Sequence, residues 1–308
     1  MTLHRSAFRA MGSDILTALE TDSDTAPAVL EEVPGWFEQW EQVLSRFRIN
    51  SELSCLNRSA DQTIPVSPTL WDVYQLSLWA DEFSNGLVTP TILDAMLEAG
   101  YEHSFESLSK NQWTSMSPLL ESVHPLSSVV ADSETRTLTL PRGIHLDFGG
   151  VAKGWAAHQA MQKLKEFGPC LVNAGGDIAV SSPRRDGRAW KVGVSNPFEP
   201  DKNFDILHVK QGGVASSGRD RRVWRRNGLL QHHLIHPLTG QPVETNVLRV
   251  TIIASTVMEA EAAAKTAFIL GADQGLEWIE AHSFAGIILM ETGEAFHSQS
   301  MQEYIGEL

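Results

Sequence analysis

The sequence predicts a mixed α+β protein in which mainly antiparallel sheets are flanked by helices. Helical periodicity is concentrated in the first third of the chain and after residue 257, while short alternating segments fill the middle, without the regular strand–helix alternation of a doubly wound parallel sheet. Over 308 residues, 42% hydrophobic and 20% charged residues give ample material for a globular core. No tandem repeat, low-complexity stretch or Pro/Gly-rich linker divides the chain, so its elements are expected to pack into a compact body, and the length allows one large domain over 1–308 or two lobes sharing a site.

Residues 7–20 read as two short strands around Met11-Gly12-Ser13, where glycine permits a tight turn. Leu30, Val33, Phe37, Trp40, Val43 and Leu44 recur at helical spacing over 28–46, with Pro34 expected to break that helix or delay its start. A second helix fits 68–84, opened by Ser67-Pro68. The loop LVTPT after Gly86 leads into a helix at 91–99, and 127–147 alternates as a hairpin turning at Asp132-Ser133-Glu134. An amphipathic helix is expected at 153–167. Strands follow at 170–173, 177–181, 189–195, 205–210, 213–216, 221–225, 229–235 and 247–254, with Asn227-Gly228 as a hairpin turn. Helices at 257–270 and 273–282 and a last hairpin at 285–297 complete the chain.

The 24 Lys+Arg against 38 Asp+Glu leave a net charge of −14, which argues against a nucleic-acid partner, since phosphate neutralisation needs surplus cations. Two isolated cysteines, Cys55 and Cys170, exclude a disulfide scaffold and a Cys-ligated zinc site. No apolar run is long enough to span a membrane, so no membrane insertion is expected. The N-terminus alternates polar and apolar residues where a secretory peptide needs an apolar core, so a cytoplasmic location is expected.

Four segments could carry chemistry. LDFGGVAKGWAAHQA (146–160) places Asp147, Gly149, Gly150 and Lys153 at a strand-to-helix junction, where free N–H groups and a cation suit a nucleotide diphosphate or where a turn simply caps a helix. CLVNAGGDIAV (170–180) interrupts an apolar strand with Asn173, Gly175, Gly176 and Asp177, either as a second phosphate loop or as a steric necessity. GRDRRVWRRNGLLQHHLIHPLTGQP (218–242) holds five arginines and three histidines. It is a solvated ribbon, or it steers an anion and aims His232 or His233 at a cleft as a proton acceptor. In VMEAEAAAKTAFILGA (257–272), Glu261 and Lys265 stand at i and i+4, an ordinary surface ion pair or, for Glu261, a ligand to a hard cation.

In order, Met11-Gly12-Ser13, LSRFRINSELSCLN (44–57), LDFGGVAKG, NAGGDI (173–178), VASSGRD (214–220), HLIHPLTGQPV (233–243) and AEAAAKTAFILG (260–271) resemble the FAD:protein FMN transferases, the ApbE-like flavin transferases of T-fold-related architecture. The resemblance implies an enzyme that cleaves the FAD pyrophosphate with the help of Mg²⁺. FMN then passes to a threonine hydroxyl of an acceptor protein and AMP is released. Carried over by motif, Met11, Phe47, Leu87, Val88, Thr89, Asp147, Lys153 and Ile235 match FAD-site positions, joined by Gly175 and Gly176. Gly150 and Glu261 match metal ligands, and His233 the residue that activates the acceptor threonine. Leu87-Val88-Thr89 replaces a common Ala-Phe-Asp. Glu261 stands where Asp is usual, Lys265 where Thr is usual, and His236 where an HxxDP pattern has Asp. Lys265 at a metal-ligand position leaves open a flavin-binding or regulatory module, or an FAD pyrophosphatase, with weakened transfer.

Overall fold

The computed structural model describes residues 2–22, 26–109, 111–113 and 123–306. The chain forms two compact units. The first comprises Met1–Phe37, Lys153–Asp220 and Thr245–Leu308, the second Glu38–Ala152 and Arg221–Glu244.

The first unit is built on an antiparallel sheet in the order Thr2–Ala10, Ser13–Thr21, Cys170–Ala174, Asp177–Val180, Gly212–Gly218, Val247–Ala254, Ala285–Met290 and Ala295–His297. Its first hairpin turns through Met11 and Gly12, both at positive φ (51° and 63°). For methionine that conformation is uncommon, so the tight turn is imposed on it by the paired strands on either side. A second pair, Trp190–Ser195 with Asn203–Val209, contributes Trp190, Val192, Val194, Leu207 and Val209 to a core that also holds Leu171, Val214, Ile253 and Ile287. Helix Val257–Leu270 packs on the strands Gly212–Gly218 and Val247–Ala254. Thr256 caps it by accepting the amide of Glu259 at 3.1 Å.

The second unit holds helices Glu52–Asn57, Pro68–Phe83 and Leu93–Glu98 beside small sheets. Ser51 and Ser67 cap the first two of these helices through their side chains. Among the sheets, Val223–Arg226 pairs with Leu229–His232 through the Asn227-Gly228 turn, and with Asn111–Gln112 in parallel.

The α+β, mainly antiparallel architecture agrees with the sequence reading; several elements differ in detail. Helix Ala26–Leu44 runs through Pro34 without breaking. Burial of Val29, Leu30, Val33, Phe37, Trp40 and Leu44 along one stripe offsets the roughly 3 kcal/mol that an interior proline costs. Helix Glu52–Asn57 is a single capped turn and a half, too short for periodicity to reveal. The hairpin expected over 127–147 is confined to Val130–Asp132 and Thr137–Thr139. The strand expected over 229–235 ends at His232, and the chain resumes pairing at Ile235–His236 against Gln241–Pro242. Among the described residues, no helix is long and apolar enough to cross a membrane.

Candidate active site

In the first unit, Lys153 lies in the first turn of helix Ala152–Leu164 and pairs with two carboxylates, Asp177 and Glu261. Its Nζ is 3.1 Å from Glu261 Oε1, which also accepts Lys265 Nζ at 2.9 Å. Glu261 Oε2 accepts the Gly154 amide at 3.0 Å. A β-carbon on Gly154 would stand 2.5 Å from that oxygen, so glycine is required for the approach. Glu261 and Asp177 are 1% and 4% exposed, against 15% and 14% for Lys153 and Lys265. The Glu261–Lys265 pair is therefore not the surface ion pair that i,i+4 spacing suggests but half of a buried quartet.

The electrostatics follow from burial and proximity. Burial pushes the Glu261 carboxyl up, but the two ammonium groups outweigh it and hold the group below the usual carboxylate range. Burial, then the neighbouring Glu261 charge, raises Asp177. Lys265 is lowered, first by burial.

Gly175 and Gly176, at φ 68° and 106°, form the turn between strands Cys170–Ala174 and Asp177–Val180. The Asn173 side chain accepts the Gly176 amide at 2.8 Å, and a β-carbon on Gly175 would collide with Ser13. The turn alone accounts for both glycines, and it delivers Asp177 to Lys153.

In the second unit, Asp147 is 6% exposed and bound on both oxygens. Oδ2 lies 2.5 Å from Arg46 Nε, and Oδ1 accepts the Gly149 amide at 2.5 Å. Arg46 also donates to the Tyr101 carbonyl at 2.8 Å, with its guanidinium 4.1 Å from the Phe47 ring centre and 4.7 Å from that of Tyr101. Tyr101 stacks on Trp224, whose indole N–H donates to the Ala99 carbonyl. Ile235 packs into the same cluster, while Phe47 remains 43% exposed. Trp224 thus anchors the arginine-rich hairpin, which is more than a solvated ribbon.

Val88, Thr89, Asp147 and Gly150 line one recess together with Ser77 and Pro90. Val88 is fixed by its amide on Ser84 Oγ at 2.8 Å, and Thr89 Oγ1 lies 3.0 Å from Thr91 Oγ1. Leu87 is half-buried beside them.

His232 and His233 diverge. His232 is buried; its Nε2 donates to the Val243 carbonyl at 3.0 Å and its Nδ1 accepts the Leu234 amide at 3.3 Å. It is a structural residue. His233, where the strand has ended, is half-buried. His236 Nδ1 accepts the Leu238 amide at 3.2 Å, the bond to the amide two residues on that an aspartate makes in an Asx turn. The HxxH departure thus keeps the turn.

Sequence reasoning did not single out Arg46 and Tyr101, which only the fold brings beside Asp147 and Phe47. Arg46 does lie inside the motif LSRFRINSELSCLN, though periodicity gives it no special place there.

The profile of the ApbE family matches residues 11–288, and the chain belongs to that family. It is 22% identical over 298 residues to an FAD:protein FMN transferase of Haemophilus influenzae, covering 91% of this chain and 83% of that one. It is 29% identical over 266 residues to the FAD:protein FMN transferase of Treponema pallidum, covering 79% and 72%. The crystal structure of the ApbE protein of Thermotoga maritima superposes with a TM-score of 0.88 at 22% identity, over 99% of this chain and all of that one, which establishes the shared fold.

Proposed function

We propose that this chain is an FAD:protein FMN transferase, acting as one domain over residues 1–308 on FAD and an acceptor protein. The observation that supports this best is the extent of the family match, residues 11–288, which spans every residue given a role here. The activity is the one named for the relatives in Haemophilus influenzae and Treponema pallidum. A cytoplasmic setting belongs to the same reading, and fractionation of the source cells would check it.

In this reaction the acceptor threonine Oγ attacks the FMN-side phosphorus. The new Oγ–P bond forms as the pyrophosphate P–O bond breaks, and AMP departs with the bridging oxygen. His233 takes the hydroxyl proton, a role that suits an imidazole near neutral pH. Lys153 and the Gly175-Gly176 turn hold phosphate oxygens. The exposed face of Phe47 offers the flavin a stacking surface, with Arg46 occupying its other side. Met11, Leu87, Val88, Thr89, Asp147 and Ile235 complete the FAD contacts in this reading.

Mg²⁺ on Glu261 and the Gly150 carbonyl fits less well. Glu261 Oε1 already accepts two ammonium groups and Oε2 an amide, a set of donors that suits no cation as a further neighbour.

The test is to incubate the protein with FAD, with and without Mg²⁺, and a threonine-bearing acceptor, following the FMN mass increment and AMP. Adduct with AMP supports transfer. AMP without adduct makes the chain an FAD pyrophosphatase, with water as the acceptor, and bound FAD with neither product makes it a binding module.

A further inference from the structure

The quartet Lys153, Asp177, Glu261 and Lys265 has a polarity of its own. The two carboxylates are almost fully buried, and each lysine that pairs with them keeps about one seventh of its side chain exposed. Two cations and two anions sum to zero, so the carboxylates beneath are compensated before any ligand arrives. A divalent cation entering here would stand against Lys265 and find Glu261 Oε1 already occupied from two directions. An anion brought to the quartet meets two fixed ammonium groups instead. We propose that the Lys265 ammonium occupies the place of a divalent cation, so that this chain binds the pyrophosphate of a dinucleotide without a metal. This rests on the reading of the chain as a flavin transferase, since it takes FAD as the dinucleotide.

The geometry is built in rather than incidental. Lys265 and Glu261 are one turn apart on a capped helix, so the ammonium is held at the carboxylate by the backbone spacing itself. Gly154 lets the start of a second helix close on Glu261, and Lys153, next to Gly154, brings the second cation. One of the two charges that a bound divalent metal would supply reversibly is carried here by the covalently attached Lys265 side chain.

The experiment is a titration of the wild-type protein with Mn²⁺, read by electron paramagnetic resonance, alongside FAD binding measured by flavin fluorescence in chelator and in Mg²⁺. Wild type is expected to leave Mn²⁺ free and to bind FAD equally within about twofold in both conditions. Lys265→Thr removes one cation and uncovers a lone pair of Glu261, and is expected to take up Mn²⁺. Stoichiometric Mn²⁺ binding by wild type overturns the proposal, as does a loss of FAD affinity of about tenfold or more in chelator, or no FAD binding in either condition. A folded Lys265→Thr variant that leaves Mn²⁺ free overturns it as well; if that variant does not fold, the wild-type measurements decide alone. FAD that binds without metal but yields no FMN adduct leaves this proposal standing and removes the transferase reading.

Discussion

Arg46 and Asp147, a hundred residues apart in the chain, meet as an ion pair with Nε 2.5 Å from Oδ2, and their side chains are 7% and 6% exposed. The other aspartate oxygen is held by the Gly149 amide. Arg46→Met is therefore expected to destabilise the protein by about 3–5 kcal/mol, the consequence of leaving a buried charge alone. Arg46→Met combined with Asp147→Leu is expected to recover much of that loss. Urea unfolding midpoints of the three variants check both, and a double variant no more stable than the single one would show that the pair is not the reason.

Gly154→Ala places a β-carbon 2.5 Å from Glu261 Oε2 and forces the carboxylate off the amide. A loss of about 1–3 kcal/mol is expected from the unsatisfied groups, together with reduced FMN transfer. Gly35, inside helix Ala26–Leu44 with open space around it, is the control. Gly35→Ala is expected to raise stability by about 0.5–1 kcal/mol. Thermal unfolding of both variants gives the comparison.

The two adjacent histidines are expected to respond in opposite ways. His232→Ala removes bonds to the Val243 carbonyl and Leu234 amide and is expected to lower stability by about 1–3 kcal/mol. His233→Ala is expected to leave FAD affinity near wild type while flavinylation falls by about 10²–10⁴-fold, the usual contribution of a positioned base. FAD titration and a mass-based transfer assay on each variant separate the roles. Equal losses of affinity and transfer in His233→Ala would make that residue a binding residue instead.

His145 Nδ1 lies 2.9 Å from both oxygens of Asp94, and the hydrogen bond to Asp94 raises its pKa while partial burial opposes the shift. The protonated ring is the form stabilised by folding. Its contribution is present in full below about 6.5, the unfolded value, and is lost as pH rises through the higher folded value. The thermal midpoint difference between wild type and His145→Gln is expected to be greatest near pH 5 and to shrink toward about pH 9. A difference that does not change with pH would mean that the pair contributes no proton-linked stability.

Much of the molecule is legible from local chemistry. Asn227-Gly228, Ser67-Pro68 and the alternation around Met11-Gly12 announce turns and caps whose causes lie within a few residues. The helix at 257–270 follows from its own periodicity, and the ordered motifs from Met11 to Gly271 point to the family before any coordinate is known. Pro34 and the short helix Glu52–Asn57 were not legible in the same way, because burial of a stripe overrides one and the other spans too few residues to show a period.

Fold class, family and the interest of Lys153, Glu261, Lys265, Asp147 and His233 all follow from the order of residues along the chain. What they do to one another was decided by the tertiary structure. An i,i+4 Glu–Lys pair reads as a surface contact until the fold buries it and brings Lys153 and Asp177 to it from two other elements. Asp147 reads as an acid without a stated partner until the fold brings Arg46 to it from a hundred residues away. Charge pairing and burial depend on distance in space, and that distance is set by packing between segments that are remote in the chain.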